Sequence, residues 1–581
     1  MTYFAEKHAK AQQAIDDWVA GSYAGAKRAT PAQLAEHGLG EEYTGWVIPI
    51  ENDARLTFAI DPSFPFSRPK TAIAGLGELA LSPHVERHAR LCTWGDASAF
   101  DPDAPAEVAR GYIEASLQLL ADNQAGGDVS DYSVDFEAYW RRQTTSNFRL
   151  LTMVSPEPPS RSLVGWFGQT QIILGETKSD CTRWLRNVFG EKIQESYGPS
   201  ALIWLDPLPT PAEYPDTPSA LRQLVKSRAA SDLPLLDGVL TSTTGRRAVL
   251  LAGPATASRN AFGALVIQDP PLRHKFGGAA LDHGFRKGKI PAAILASRLT
   301  SDRVEPEDVE ASWTRLEPGI FEQLRSKKVA VIGCGAVGSS VARILAQTGV
   351  GRLVLIDPDI LRWENISRHE LGAEYVLKNK AIALASRLTQ SLPHMIECVG
   401  HGLDWVSLAR EQEGLFDDCN VVVAATGDWL SESALDDFTR SRAMVQPIVY
   451  GWLERRAMAA HALALNKDTV CFKCGFDNFG EPVLPATSWL SEEDNEQCAA
   501  VSSPFGAAEL SFGNGLISGL VIDLLLERAV LPAHRIWLAR TQELERQGGY
   551  WSQAWKDGVS DPGGGMMVGV DWPQRGGCIC A

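Results

Sequence analysis

Gly333, Gly335 and Gly338 form G-x-G-x-x-G between the apolar run VAVIG and the helical stretch SSVARILAQTG. In a strand–turn–helix setting, glycines at this spacing allow a tight turn and let a phosphate approach the helix N-terminus. A second apolar run, LVLID, ends in Asp357, where an acid can bind ribose hydroxyls. Asn365, Arg368 and Lys380 follow, on a loop leading into a predicted helix. A dinucleotide's pyrophosphate is already served by the helix N-terminus. Extra fork and point donors suit the triphosphate of ATP and disfavour an NAD(P) oxidoreductase. A third buried run, CNVVVAATGD, ends at Thr426-Gly427-Asp428. A carboxylate at the C-terminal end of such a strand can hold Mg2+ or cap the next helix, and both readings stand at this point.

The ten cysteines sort by their neighbours. Cys471 and Cys474 form C-x-x-C, and Cys578 and Cys580 form C-x-C at the far end of the chain. Four thiolates can close a tetrahedral structural Zn2+ site, the alternative being reduced, partly buried thiols. Cys334, Cys398 and Cys419 sit in or beside apolar runs and read as packing. Cys498 stands alone in the polar segment SEEDNEQCAAVSSP, and Cys92 is the one cysteine in the first 180 residues.

These groups need a scaffold. At 581 residues the chain is long enough for three or four domains with their own cores. Its 71 acidic and 55 basic side chains give a net charge of −16, which argues against a coat for nucleic acid or an anionic membrane. Sparse cysteines favour a reducing compartment, and the charged N-terminal stretch MTYFAEKHAK lacks a signal peptide's apolar run. The segment LISGLVIDLLLERAV is broken by Asp523 and reads as a buried helix rather than a span. A cytoplasmic protein is expected. The polar stretch from Ala121 to Ser133 reads as a linker, and a second boundary is expected near SDRVEPEDVE. Residues 133–300 then form an α+β middle domain without a visible chemical constellation. Strand–helix alternation takes over from residue 315, so the fold class is α/β with a mostly parallel, Rossmann-like sheet.

GCGAVG, the strand ending Asp357-Pro358-Asp359, ENISRH, Lys378 with Lys380, and ATGD together resemble the ubiquitin-activating-type (ThiF-like) adenylyltransferases over residues 315–581. The resemblance implies that Asp357 binds ribose, Asn365, Arg368 and Lys380 bind phosphates, and Asp428 binds magnesium. It implies Cys498 as an acyl-accepting nucleophile on a crossing loop, and a homodimer in which an arginine before the first strand (Arg315, or else Arg325) is donated across the interface. Family members that activate sulfur carriers have two C-x-x-C pairs, so the C-x-C here is a departure. Residues 1–122 resemble a ubiquitin-conjugating fold: a helix, antiparallel strands, Phe64-Pro65-Phe66 with Pro69, and an extended loop carrying His84-Val85 and Leu91-Cys92-Thr93-Trp94. Cys92 is then the second acceptor thiol. The usual His-Pro-Asn tripeptide is missing, which leaves His84, His88 or backbone amides to stabilise the oxyanion.

A conjugating-type module ahead of an activating-type module resembles the ubiquitin-transferase-like proteins of CBASS antiphage operons, which partner a cGAS/DncV-like nucleotidyltransferase. That resemblance implies a relay. The partner's C-terminal carboxylate is adenylated with Mg·ATP, captured by Cys498, passed to Cys92, and released as an amide to a lysine or small amine. The rivals are a sulfur-carrier adenylyltransferase with docking N-terminal domains, and a nucleotide-binding scaffold without catalysis.

Overall fold

The computed structural model describes residues 3–580 apart from 51–53, 76–81, 94–99, 126–130, 145, 147, 191–193, 243–244, 258, 270–284, 287–288, 310–318, 413, 443, 478–479, 490–504, 560–562, 577 and 579. Residues 1–181 and 195–309 make one compact unit, and residues 182–194 and 310–581 make a second.

The first unit holds two sheets. Helix α1 (Tyr3–Ser22) turns Ala11, Ile15 and Val19 inward at four-residue spacing. These side chains meet the inner face of an antiparallel sheet ordered β1 (Lys27–Arg28), β2 (Thr44–Pro49), β3 (Arg55–Ile60), β4 (Lys70–Ala74) and β5 (Arg90–Leu91). Trp46, Ile48, Leu56, Phe58, Ile60 and Ile73 come from the strands, while Val108, Tyr112 and Ile113 come from α2 (Pro105–Gln124). Cys92 follows β5 directly. The described ends of the expected linker are helical: α2 runs to Gln124, and α3 (Asp131–Val134) and α4 (Phe136–Arg142) follow residues 126–130, which lie outside the described residues. Burial explains the difference, since Asn123 reaches back to the Pro83 carbonyl and Phe136, Tyr139 and Trp140 enter a core.

The middle sheet has eight strands: β6 (Arg149–Thr152), β7 (Arg161–Phe167), β8 (Gln171–Gly175), β9 (Tyr197–Trp204), β10 (Arg247–Thr256), β11 (Arg259–Gln268), β12 (Thr300–Val304) and β13 (Pro306–Asp308). Their spatial order is β12-β11-β10-β9-β7-β8-β6-β13, with parallel and antiparallel pairs mixed. SDRVEPED, expected at a boundary, thus supplies both edge strands. Its polar composition suits edges, where one side of the ladder faces solvent. Trp140 of α4 lies against Gly263 of β11, where a Cβ would sit 2.4 Å from the indole, and donates to the Val304 carbonyl at 2.9 Å.

The second unit is built on β14 (Lys328–Ile332), β15 (Arg352–Ile356), β16 (Glu397–His401), β17 (Val421–Ala424), β18 (Ile448–Leu453) and β19 (Ala459–Leu465). β20 (Thr487–Trp489) and β22 (Gly549–Trp551) pair apart, while β21 (Ala533–Leu538) and β23 (Met566–Gly569) extend the main sheet. The order β16-β15-β14-β17-β18 is parallel throughout, and β19, β21 and β23 continue it antiparallel. This is the expected Rossmann-like α/β class. Strand order reverses between β14 and β17, the place where open α/β sheets receive ligands. Helix α5 (Ala336–Thr348) follows the glycine turn, with α6 (Lys380–Ser391) and α7 (Trp429–Ser441) after the neighbouring strands.

The long apolar helix α8 (Ala507–Leu525) begins earlier than LISGLV and ends before Val530, which is exposed. With a mean hydropathy of 1.3 it is long and apolar enough to cross a bilayer. Its Leu516, Ile517, Leu520 and Val521 are nonetheless buried with Val449, Ala460 and Ala462 of the sheet, as core residues are.

Close packing at the glycine turn yields a stability prediction. A Cβ on Gly338 would lie 1.8 Å from the Gly333 carbonyl oxygen, whereas one on Gly335 meets open space. Gly338→Ala destabilises the second unit by about 2 kcal/mol or more, while Gly335→Ala costs less than about 1 kcal/mol. Urea unfolding followed by tryptophan fluorescence measures both.

Candidate functional site

The nucleotide candidates converge at the C-terminal edge of β14, β15 and β17. Gly333 takes a left-handed φ of 85°, and a Cβ there would sit 2.6 Å from the Ala425 carbonyl oxygen, so this turn and the β17 loop touch. Asp357, 6% exposed, directly follows β15 and grips the turn: one oxygen accepts from the Cys334 N–H at 2.6 Å and the other from the Asp359 N–H at 2.8 Å. Burial raises its carboxyl above the ordinary range, while those two N–H bonds pull it back down. Lys380 opens α6, 8% exposed, with its ammonium 2.9 Å from Asp359. Its neighbour Asn379 donates to the carbonyls of Asp357 and Asp359 while capping α6.

Arg368 stacks over the Phe505 ring at 4.8 Å and lines a cleft of about 530 Å³ with Ser367, Arg456, Gly506, Glu509 and Gln547. Asn365 is used locally, its side-chain oxygen accepting from the Arg362 N–H at 2.9 Å. Asp428 is exposed and caps α7, accepting from Leu430 and Ser431 N–H groups at 3.3 Å each. The capping alternative for Asp428 is therefore real; lone pairs not directed at the helix remain on both oxygens. Arg325 lies over the Phe321 ring before β14. Cys498 and Arg315 fall outside the described residues.

Three groups escaped the sequence reading. His369 donates from Nε2 to the Cys334 carbonyl at 2.7 Å and accepts the Leu371 N–H on Nδ1, so it is held as a neutral imidazole. Burial lowers its pKa accordingly. Glu432, 4% exposed on α7, accepts from the Thr426 N–H, the Thr426 hydroxyl and the Gly427 N–H at 3.0–3.2 Å. Burial lifts its pKa to about 7. Arg456 faces the cleft from a left-handed backbone with φ 58°. No motif marks Glu432 or Arg456, whereas the S-R-H run carried a signal for His369 that was read for Arg368 only.

The four sequence-predicted metal cysteines come together. Sγ separations are 3.5 Å for Cys471–Cys474 and Cys474–Cys580, and 3.3 Å for Cys471–Cys578 and Cys578–Cys580. A tetrahedral Zn2+ with Zn–S near 2.3 Å needs sulfurs about 3.8 Å apart, so the set fits with a shift of a few tenths of an ångström. The Arg575 N–H points at Cys474 Sγ, and Trp572 donates to the Cys471 carbonyl, fastening the C-terminal strand of chain to the C-x-x-C turn. The C-x-C spacing does not prevent closure.

In the first unit, Cys92 is exposed, and its N–H donates to the His84 carbonyl at 2.9 Å. Val85 and Leu91 bridge beside it, closing a narrow hairpin. His84 has φ 62°, and its ring lies between Asp131 and Asp135 at 3.5 and 3.7 Å. His88 is exposed, and its carbonyl is paired with His37.

Two predictions follow from this geometry. Glu432 holds its proton more tightly folded than unfolded, so its stabilising contribution is full below about pH 4.5 and fades as pH rises towards 7. Glu432→Gln keeps an acceptor for the same three donors without the charge. Its Tm relative to wild type therefore climbs between pH 5 and pH 8, by a margin worth up to about 3 kcal/mol. For the cysteines, the purified protein carries one Zn2+ per chain by elemental mass spectrometry. Cys471→Ser or Cys578→Ser loses the metal and lowers the Tm, and strong chelation of wild type does the same.

Residues 310–534 match the ThiF family, and residues 40–149 match prokaryotic E2 family B. The chain is 38% identical over 108 residues to the ATP-dependent ubiquitin transferase-like protein Cap2 of Enterobacter hormaechei, covering 17% of this chain and 18% of Cap2. It is 31% identical over 141 residues to the adenylyltransferase and sulfurtransferase MOCS3 of Mus musculus, covering 23% of this chain and 31% of MOCS3. The matched stretches thus span less than a third of either relative. Among solved structures, E. coli MccB with AMPCPP and MccA aligns at 17% identity with a TM-score of 0.32, over 45% of this chain and 67% of MccB. A match to prokaryotic E2 family B thus precedes a match to the ThiF family in one chain, and the ubiquitin transferase-like protein Cap2 is among the proteins this chain is similar to.

Proposed function

We propose that this protein adenylates the C-terminal carboxylate of a partner protein and conjugates it through a cysteine relay. The observation that carries the reading is the occurrence, in one chain, of an open glycine cradle flanked by Lys380 and Arg368 and of an exposed Cys92 in an E2-family domain. The α5 N-terminus and the open space at Gly335 receive phosphate, and Asp357 faces the ribose while holding the turn. Lys380 and Arg368 balance the charge that develops as the carboxylate attacks the α-phosphate and pyrophosphate leaves. Mg2+ enters with ATP, and Asp428 is its ligand from this chain. Cys498 takes the acyl group from AMP, Cys92 takes it from Cys498 by thioester exchange, and an amine releases it as an amide.

The partner we favour is a cGAS/DncV-like nucleotidyltransferase in antiphage defence, in keeping with the resemblance to the CBASS proteins and the similarity to Cap2. A homodimer through the ThiF-family part and a cytoplasmic location belong to the same reading. The similarity to MOCS3 favours a second one, in which the product is an activated sulfur carrier and Cys92 is silent.

Incubation with such a nucleotidyltransferase and Mg·ATP tests both. Arg368→Ala and Lys380→Ala lower ATP–pyrophosphate exchange by about a hundredfold or more. Cys92→Ala leaves exchange intact and abolishes the amide, with acyl held on Cys498. Wild-type amide yield in Cys92→Ala would refute the relay, and a wild type without exchange would refute adenylation of that partner.

A further inference from the structure

The loop opposite Cys92 is not held by its own sheet alone. Pro83, His84 and Val85 are each fastened by a side chain from a later helix. Asn123 of α2 donates to the Pro83 carbonyl at 2.9 Å. Tyr139 of α4 accepts the His84 N–H at 2.6 Å. Arg142, one turn farther along α4, donates to the Val85 carbonyl and stacks its guanidinium on the Tyr139 ring at 4.5 Å. Asp131 of α3 and Asp135, just before α4, flank the His84 imidazole. Both polar groups of the His84 backbone are thereby used: the N–H points to Tyr139 and the carbonyl to the Cys92 N–H.

Helix α4 is itself rigidly seated. Trp140, adjacent to Tyr139, is fully buried against Gly263 and bonded to the Val304 carbonyl, so α4 moves with the eight-stranded sheet. Tyr139 is 4% exposed, so its hydroxyl has little access to a substitute partner in water. A left-handed φ on a non-glycine residue costs free energy, so His84 holds that conformation because its surroundings impose it.

We propose that Tyr139, with Arg142 beside it, is a positioning residue for the Cys92 thiol, acting through the His84 backbone. The helix that closes the E2-family match thus braces the loop opposite Cys92, and through Trp140 it ties that loop to the eight-stranded sheet. It supplies an order that the missing His-Pro-Asn tripeptide does not supply within the loop. The inference rests on the reading of Cys92 as an acyl carrier, and the experiment separates the two.

Full-length Tyr139→Phe removes one oxygen and keeps the buried ring. Hydrogen exchange by mass spectrometry reads the brace directly: protection across residues 83–92 falls about tenfold, while β2–β4 are unchanged. The reactive consequence is read without ATP or a partner protein. Cys92 is loaded by exchange with the thiophenyl thioester of acetylglycine, releasing thiophenol. Lysine then attacks the carbonyl, its amine proton goes to solvent, and Cys92 leaves as thiolate. Site-resolved mass spectrometry follows the adduct. In Tyr139→Phe the discharge rate at saturating lysine drops about tenfold with the half-saturating lysine concentration unmoved, a split that general destabilisation does not produce. Arg142→Ala, which leaves the Tyr139 ring in place, moves both readouts the same way. Unchanged protection in both variants overturns the inference, as does lost protection with wild-type discharge. Should wild-type Cys92 fail to discharge to lysine at all, the acyl-carrier reading falls and the positioning role falls with it. The exchange result then stands as a structural brace only.

Discussion

The backbone of Cys334 is held on both sides, through its N–H and its carbonyl, and the glycine-turn edge of the second unit depends on it. Asp357 takes its N–H and His369 takes its carbonyl, from two segments that approach from different sides of the glycine turn. Between them the turn is pressed so closely that Gly338 packs on the Gly333 carbonyl, and Gly333 packs on the β17 loop. A side chain at either glycine would part β14 from α5 or from β17. The turn is thus set by backbone contacts, and the charged groups are arranged around it: Lys380 through Asp359, Arg368 beside His369, and Asp428 at the end of the touching loop. Groups fixed in this way need no further reorganisation to meet a ligand, and that makes oriented dipoles effective in a site.

Much of this was legible because it is written in spacing. Glycines at fixed intervals, apolar runs of strand length and an acid at a strand end have local causes, and the observed β14–α5–β15 unit matches them. The Cys471/Cys474 turn was legible for the same reason. Its closure by Cys578 and Cys580 was less so, because the chain between the pairs must return across about a hundred residues, and no local pattern records that return. Glu432 lay beyond reach altogether: a glutamate in a polar helix reads as solvated until the strand end it faces is known. Asp428 shows the converse. Its two possible roles share one sequence signature, and the structure displays the cap without removing the lone pairs a cation would use.

The stretch around residues 121–133 was the least legible, and the cause is physical. Residues 121–133 look like a linker because Ala, Asp, Asn, Gln and Gly carry no apolar stripe. The described residues on either side are held by single polar contacts, such as Asn123 to Pro83, and by the aromatic cluster Phe136, Tyr139 and Trp140. Sequence periodicity detects faces and misses tethers. Here the tethers join the hairpin that carries Cys92 to the helices beside it and, through Trp140, to the neighbouring sheet.

The cysteines show how a reducing chain can carry many thiols and few nucleophiles. Burial is the sorting force, since a thiolate in an apolar setting loses its hydration. Cys181, Cys398 and Cys419 are each pushed up to about 12, and Cys334 is raised as well, so at neutral pH these four remain thiols and act as small apolar side chains. Cys471, Cys474, Cys578 and Cys580 are withdrawn in another way, since each has sulfur neighbours at metal-ligand spacing. Among the described residues that leaves Cys92, exposed at the end of a hairpin whose opposite limb is pinned by two helices. Exposure alone would give it a mobile thiol, and burial alone an inert one. Pinning the backbone across from it, while leaving the sulfur in water, gives a thiol that is reachable and yet held in place.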